Sequence, residues 1–93
     1  MIIGSLLVEL DIPTAFSLKD KRAVLNRLRD RVRKKFNVSV AEVEENDIWN
    51  HAVIAVVTVS NQQRFCNQVL SKVAECIETL PDCVVEDVSM EFM

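Results

Sequence analysis

The stretch from Ser17 to Phe36, SLKDKRAVLNRLRDRVRKKF, limits the fold more than any other part of the chain. Leu18, Val24, Leu25, Leu28, Val32 and Phe36 recur at three-, four- and seven-residue steps, the period of an amphipathic helix. A helix of this kind must lay its apolar stripe on another element. Ser17 and Asp20 are spaced as an N-cap and a first-turn acid: the hydroxyl accepts a free backbone N–H, and the carboxylate sits near the positive helix end. Pro13 falls in the short loop before the helix.

Nine of the eleven Lys and Arg lie in this helix, at Lys19, Lys21, Arg22, Arg27, Arg29, Arg31, Arg33, Lys34 and Lys35. Only Asp20 and Asp30 oppose them, which leaves the segment at +7; the chain is −3 overall, so the remainder carries −10. Arg22, Asn26, Arg29 and Arg33 form one polar stripe beside the apolar seam. Lys34 and Lys35 complement the negative end of the helix dipole. Two readings follow. The charges form a solvated face paired with acids on neighbouring elements, or they form a docking surface for phosphate or for an acidic protein. On the second reading the candidate phosphate-binding residues are Lys19, Arg22, Arg27, Arg29, Arg33 and Lys34.

Residues 1–93 are expected to form a single domain, with about half the residues apolar and one glycine. No run of apolar residues is long enough to predict a membrane span. The opening MIIGSLLVELDI carries Glu9 and Asp11 and lacks a basic n-region, so it reads as a strand rather than a signal peptide. Cys66, Cys76 and Cys83 are odd in number and form no C-x-x-C pair, and a ten-residue separation is expected to place Cys66 and Cys76 on different faces of a helix. Reduced thiols in a cytoplasmic setting are the expectation.

Ile2–Ile12 alternates as a strand. Asn37–Glu45 reads as a second strand, Ile48–Ser60 as a third that is apolar on both faces, and Cys83–Phe92 as the last. A second helix is expected over Asn61–Thr79, with Pro81-Asp82 ending it. The order is β-α-β-β-α-β. It predicts an α+β, ferredoxin-like fold: a four-stranded antiparallel sheet, strands one and three central, with both helices on one face. If the even-numbered residues of the third strand face the helices, Trp49, His51, Val53 and Val57 fall on the open face and are a candidate homodimer surface.

Catalytic signatures are lacking. A phosphate-binding loop, a dinucleotide fingerprint or a G-x-x-G clamp each needs several glycines, and Gly4 stands alone. An RNA-recognition sheet needs aromatics on its central strands, and only Trp49 is offered. His51 is the sole histidine, with no cysteine placed beside it by the sequence. Glu42, Glu44, Glu45 and Asp47 lack the glycine and spacing of a calcium loop and read as an acidic sheet edge or as partners of the basic helix. No cofactor, metal or enzymatic activity is expected.

The segments SLKDKRAVLNRLRDRVRKKFNVSVAEV and VIAVVTVSNQ resemble the YlxP-like family of small bacterial proteins of unknown function, over essentially the whole chain. The resemblance implies a ferredoxin-like fold. It also implies a genomic neighbourhood of translation-initiation and ribosome-maturation factors, which points to ribosomal RNA or the ribosome as partner. It carries no catalytic residues. The leading expectation is a non-enzymatic module that meets RNA through the basic helix. The alternative is a dimeric structural or regulatory protein whose basic helix docks an acidic protein.

Overall fold

Alternation in the first strand puts Leu6, Val8 and Leu10 on one face, and in the computed structural model, which describes residues Met1–Met93, all three are fully buried. This strand, β1 (Ile2–Asp11), is followed by α1 (Leu18–Lys35), β2 (Ser39–Glu44), β3 (His51–Ser60), α2 (Gln63–Glu78) and β4 (Val84–Phe92). The sheet order is β2-β3-β1-β4, with every neighbouring pair antiparallel. Both central strands turn their even-numbered residues to the helices, so Ala52, Ile54 and Val56 of β3 join the β1 set. Val24, Leu28 and Val32 of α1 and Leu70, Val73 and Ile77 of α2 close the core from above.

Three elements begin two or more residues later than the sequence expectation. β3 begins at His51 rather than Ile48, because the Ile48 N–H donates to Glu45 O (3.1 Å) and the Ile48 carbonyl accepts from a lysine of α1, which takes both groups out of the ladder. β2 is trimmed to Ser39–Glu44. α2 starts at Gln63 because Ser60 Oγ accepts the Gln62 N–H at 3.2 Å, closing a turn ahead of the helix rather than capping it. Each edge strand carries a bulge where it meets the centre, with Val43 extra in β2 and Glu86 extra in β4. Cys66 and Cys76 both lie in the core, contrary to the expectation of different faces. Ten residues is close to three helical turns, so the two positions differ by only about 80°.

Gly4 is required by a close approach. A Cβ there would lie 3.0 Å from Leu70 Cδ1 and 3.1 Å from Cys66 Cβ. The leucine methyl can move, but the cysteine Cβ is fixed by the helix backbone. Gly4→Ala is therefore expected to destabilise the protein by about 1–3 kcal/mol as α2 is pushed from β1, measured by urea unfolding. An unchanged midpoint would contradict the contact.

Candidate functional site

The seating of α1 begins at its cap. Ser17 Oγ accepts the Asp20 N–H at 3.1 Å, and Asp20 Oδ2 accepts the Phe16 N–H at 3.1 Å, a reciprocal box that fixes where the helix starts. The apolar stripe then fixes its rotation.

One residue of that stripe is charged. Lys21 is 1% exposed, and its ammonium donates to the carbonyls of Glu45 (2.7 Å) and Ile48 and lies 2.6 Å from Glu42 Oε2. Glu42 reaches it because alternation in β2 turns Val40 and Glu42 toward the helix. Glu42 Oε2 is itself buried and makes no well-angled hydrogen bond, so charge attraction to Lys21 holds it there. Lys21 thus belongs to the interior. Its position was visible in the sequence, three residues before Val24 and seven before Leu28.

The other eight cations of α1 are on the surface or half-buried. Arg27 Nη2 pairs with Asp82 Oδ2 at 2.9 Å, and Arg29 Nη2 donates to Asn26 Oδ1 at 2.7 Å. Lys19, Arg22, Arg29, Arg31, Arg33, Lys34 and Lys35 form no ion pair. The sequence alternative in which neighbouring acids neutralise the helix therefore holds for Lys21 and Arg27 only.

At 100° per residue the candidate ligands divide between two flanks. Arg22, Arg29 and Arg33 run along the β2 side, where Arg22 and Arg29 border a hollow of about 170 Å³. Arg27 and Lys34 lie on the opposite flank. There they border a groove of about 530 Å³ between α1 and the α2–β4 connection, together with Arg31 and Lys35. Lys19 projects between the flanks. Sequence reasoning missed Arg31 and Lys35, whose signal was their four-residue spacing from Arg27 and Arg31.

The open face of the sheet has the opposite character. Period-two alternation places Glu9, Asp11, Asp87 and Glu91 there, the bulge at Val43 turns Glu44 to the same side, and the register puts Glu44, Val53, Glu9 and Asp87 side by side in one row. Leu7, Val57 and Val59 form an exposed apolar strip at the other end.

The four candidate dimer residues do not form one surface. Val53 is 2% exposed within the single chain and offers nothing to a partner. Trp49 lies before β3 and packs against Phe16, ring centroids 6.1 Å apart. His51 is enclosed by Glu45 at Nδ1 and Glu86 at Nε2 (3.1 Å). Val57 alone is exposed on the open strand face.

The Glu45 carboxylate, helped by Glu86, raises the His51 pKa above its ordinary 6.5, against the opposing effect of partial burial. Asp11, its register partner on β1, adds a further acid nearby. A group whose folded pKa is raised stabilises fully below its unfolded value and loses that contribution as pH rises through the folded value. His51→Gln should therefore weaken the protein more at about pH 5.5 than at about pH 9 in paired unfolding curves. A pH-independent difference would contradict the pairing of His51 with Glu45 and Glu86.

No group of His, Cys, Asp and Glu is arranged to hold a metal ion, and no helix is long and apolar enough to cross a membrane. Residues 3–90 match the family model described as "Protein of unknown function (DUF503)". The uncharacterized protein YlxP of Bacillus subtilis (strain 168) is 37% identical over 81 residues, which cover 87% of this chain and 88% of that protein. Among solved structures, a de novo designed protein with ferredoxin fold superimposes with a TM-score of 0.61 at 10% identity, covering 99% of this chain and 85% of the design. A second design, Foldit4, gives 0.55 at 9% identity, over 100% of this chain and 97% of the design. At those identities the likeness is one of fold alone.

Proposed function

We propose, for a chain that belongs to the DUF503 family of proteins of unknown function, with YlxP as a relative, a non-enzymatic role as an RNA- or ribosome-associated binding module. The observation that carries the reading is the row of unpaired cations on α1, set on the side of the molecule away from the acidic sheet face. Like charges held rigidly together raise the local potential and draw in a polyanion. Phosphate contacts of this type give affinity and register with little base discrimination. The acidic row on the sheet repels RNA, so a strand is steered to the helix side and away from the strand face that RNA-recognition sheets use.

A second reading, a dimer formed through the sheet with α1 docked on an acidic protein, draws support from the exposed Leu7, Val57 and Val59. The two separate by competition. Labelled ribosomal RNA fragments bound to the protein are expected to resist displacement by polyglutamate at equal charge concentration. Complete displacement by polyglutamate, or no RNA binding at low salt, favours the acidic-protein reading.

A further inference from the structure

We infer that the groove between α1 and the α2–β4 connection receives an unpaired nucleotide of single-stranded RNA, its base on the apolar lining and its flanking phosphates on Arg31 and Lys34. The inference rests on the RNA-binding reading of α1 and narrows it to one site and one form of RNA.

The groove's volume of about 530 Å³ falls in the range of pockets that enclose small ligands. Leu80 and Pro81 give its apolar lining most of the accessible surface, beside the nearly buried Val24, Leu28 and Cys83. Burial, and then the Asp82 carboxylate, push the Cys83 thiol pKa up, so Cys83 supplies apolar surface rather than a nucleophile. Arg27, Arg31, Lys34 and Lys35 stand along the α1 wall over about 12 Å of helix. Asp30 and Asp82 also line it, leaving a net +2 among the charged residues.

This combination selects among nucleic acids. A duplex hides its bases in the stack and brings phosphates only to the rim. An unpaired nucleotide brings both a flat apolar face and a charged ester, and because every base has such a face the contact tolerates sequence. No aromatic ring lines the groove; its planar groups are the guanidinium groups of Arg27 and Arg31. The Arg27–Asp82 pair beside it is weak, its side chains being 62% and 41% exposed, which frees the guanidinium to stack on an incoming base. The other sizeable hollows lack the match. The one against β2 is smaller and holds only two cations, Arg22 and Arg29, and the one at Asn37–Ser39 and Val57–Val59 has no charged residue.

The test uses the whole chain with a labelled oligouridine of about 12 nucleotides and an RNA duplex of equal length, in anisotropy titrations at low salt. The single strand is expected to bind about tenfold tighter than the duplex, the effect of one well-placed base contact. Arg31→Glu with Lys34→Glu should remove most single-strand binding, and Leu80→Ser should weaken the single strand while sparing the duplex. Leu80 also supports the core. Photocrosslinking of 4-thiouridine-substituted oligomer to the unaltered protein therefore gives an independent reading, with adducts expected at Arg27, Arg31, Lys34 or Lys35 or in Leu80–Cys83. Equal affinities, with adducts confined to the Arg22–Arg29–Arg33 flank, would overturn the groove and leave α1 as an RNA surface. No binding of either RNA overturns both.

Discussion

Lys21→Met is expected to lower stability by about 3 kcal/mol, the loss typical when one partner of a buried ion pair is removed and the other stays. The substitution keeps most of the side-chain volume and withdraws the ammonium. Glu42 Oε2 is then left buried without a counter-charge, and the carbonyls of Glu45 and Ile48 lose a donor. For a chain of this length the melting temperature should fall by more than about 10 °C. Glu45 adds to the effect, since it holds a left-handed backbone at φ 61° while its carbonyl accepts from Lys21 and its carboxylate meets His51. Loss of Lys21 should therefore loosen residues 45–50 first, visible as faster amide exchange there than in β1. The double variant Lys21→Met with Glu42→Leu should regain much of the loss, because replacing both ions with apolar groups removes the uncompensated charge. A single variant within about 1 kcal/mol of the parent would show that Lys21 is not structural. Being buried, Lys21 contributes no phosphate contact, so RNA affinity per folded molecule should be unchanged.

The second large effect concerns binding. Arg22→Glu, Arg29→Glu and Arg33→Glu together take the α1 segment from +7 to +1 without touching a core residue. If about four phosphates are engaged on single-stranded RNA, two of them on Arg31 and Lys34, losing the other two removes roughly 1.4 from the slope of log affinity against log salt, about 60-fold in affinity at 50 mM salt. Stability should change little, since none of the three arginines makes an ion pair and surface changes of this type stay within about 0.5 kcal/mol each. A folded triple variant that binds RNA as tightly as the parent would remove the β2 flank of α1 from the interface.

Much of the architecture was legible in the chain because the periods of β1 and α1 are clean. Alternation in β1, the continuous apolar run of β3 and the three-four spacing of α1 fix element order and the central strands, while the helix-facing set of β3, apolar on both faces, needed the register to settle it. What was not legible came from pairing between distant residues. Lys21 stood in the apolar stripe, yet its inward role depends on Glu42, twenty-one residues away, and on carbonyls freed by a turn. The open-face assignment of Val53 was right in parity, but the bulge at Val43 and the row of Glu44 and Glu9 cover it. His51 and Trp49 lie close in sequence, but one is enclosed by Glu45 and Glu86 and the other packs on Phe16, so they make no joint patch. The groove beside Arg27 and Arg31 needed the α2–β4 connection to give it a far wall, which helix periodicity alone does not show.

The most direct measurement of the central claim is the affinity of the unaltered protein for a labelled ribosomal RNA fragment at 50 and 200 mM salt. With about four phosphates neutralised, a slope near −0.7 per phosphate predicts roughly a 50-fold loss of affinity over that range. A flat response, or no binding at the lower salt, would contradict an RNA interface on α1 and leave the acidic-protein reading in its place.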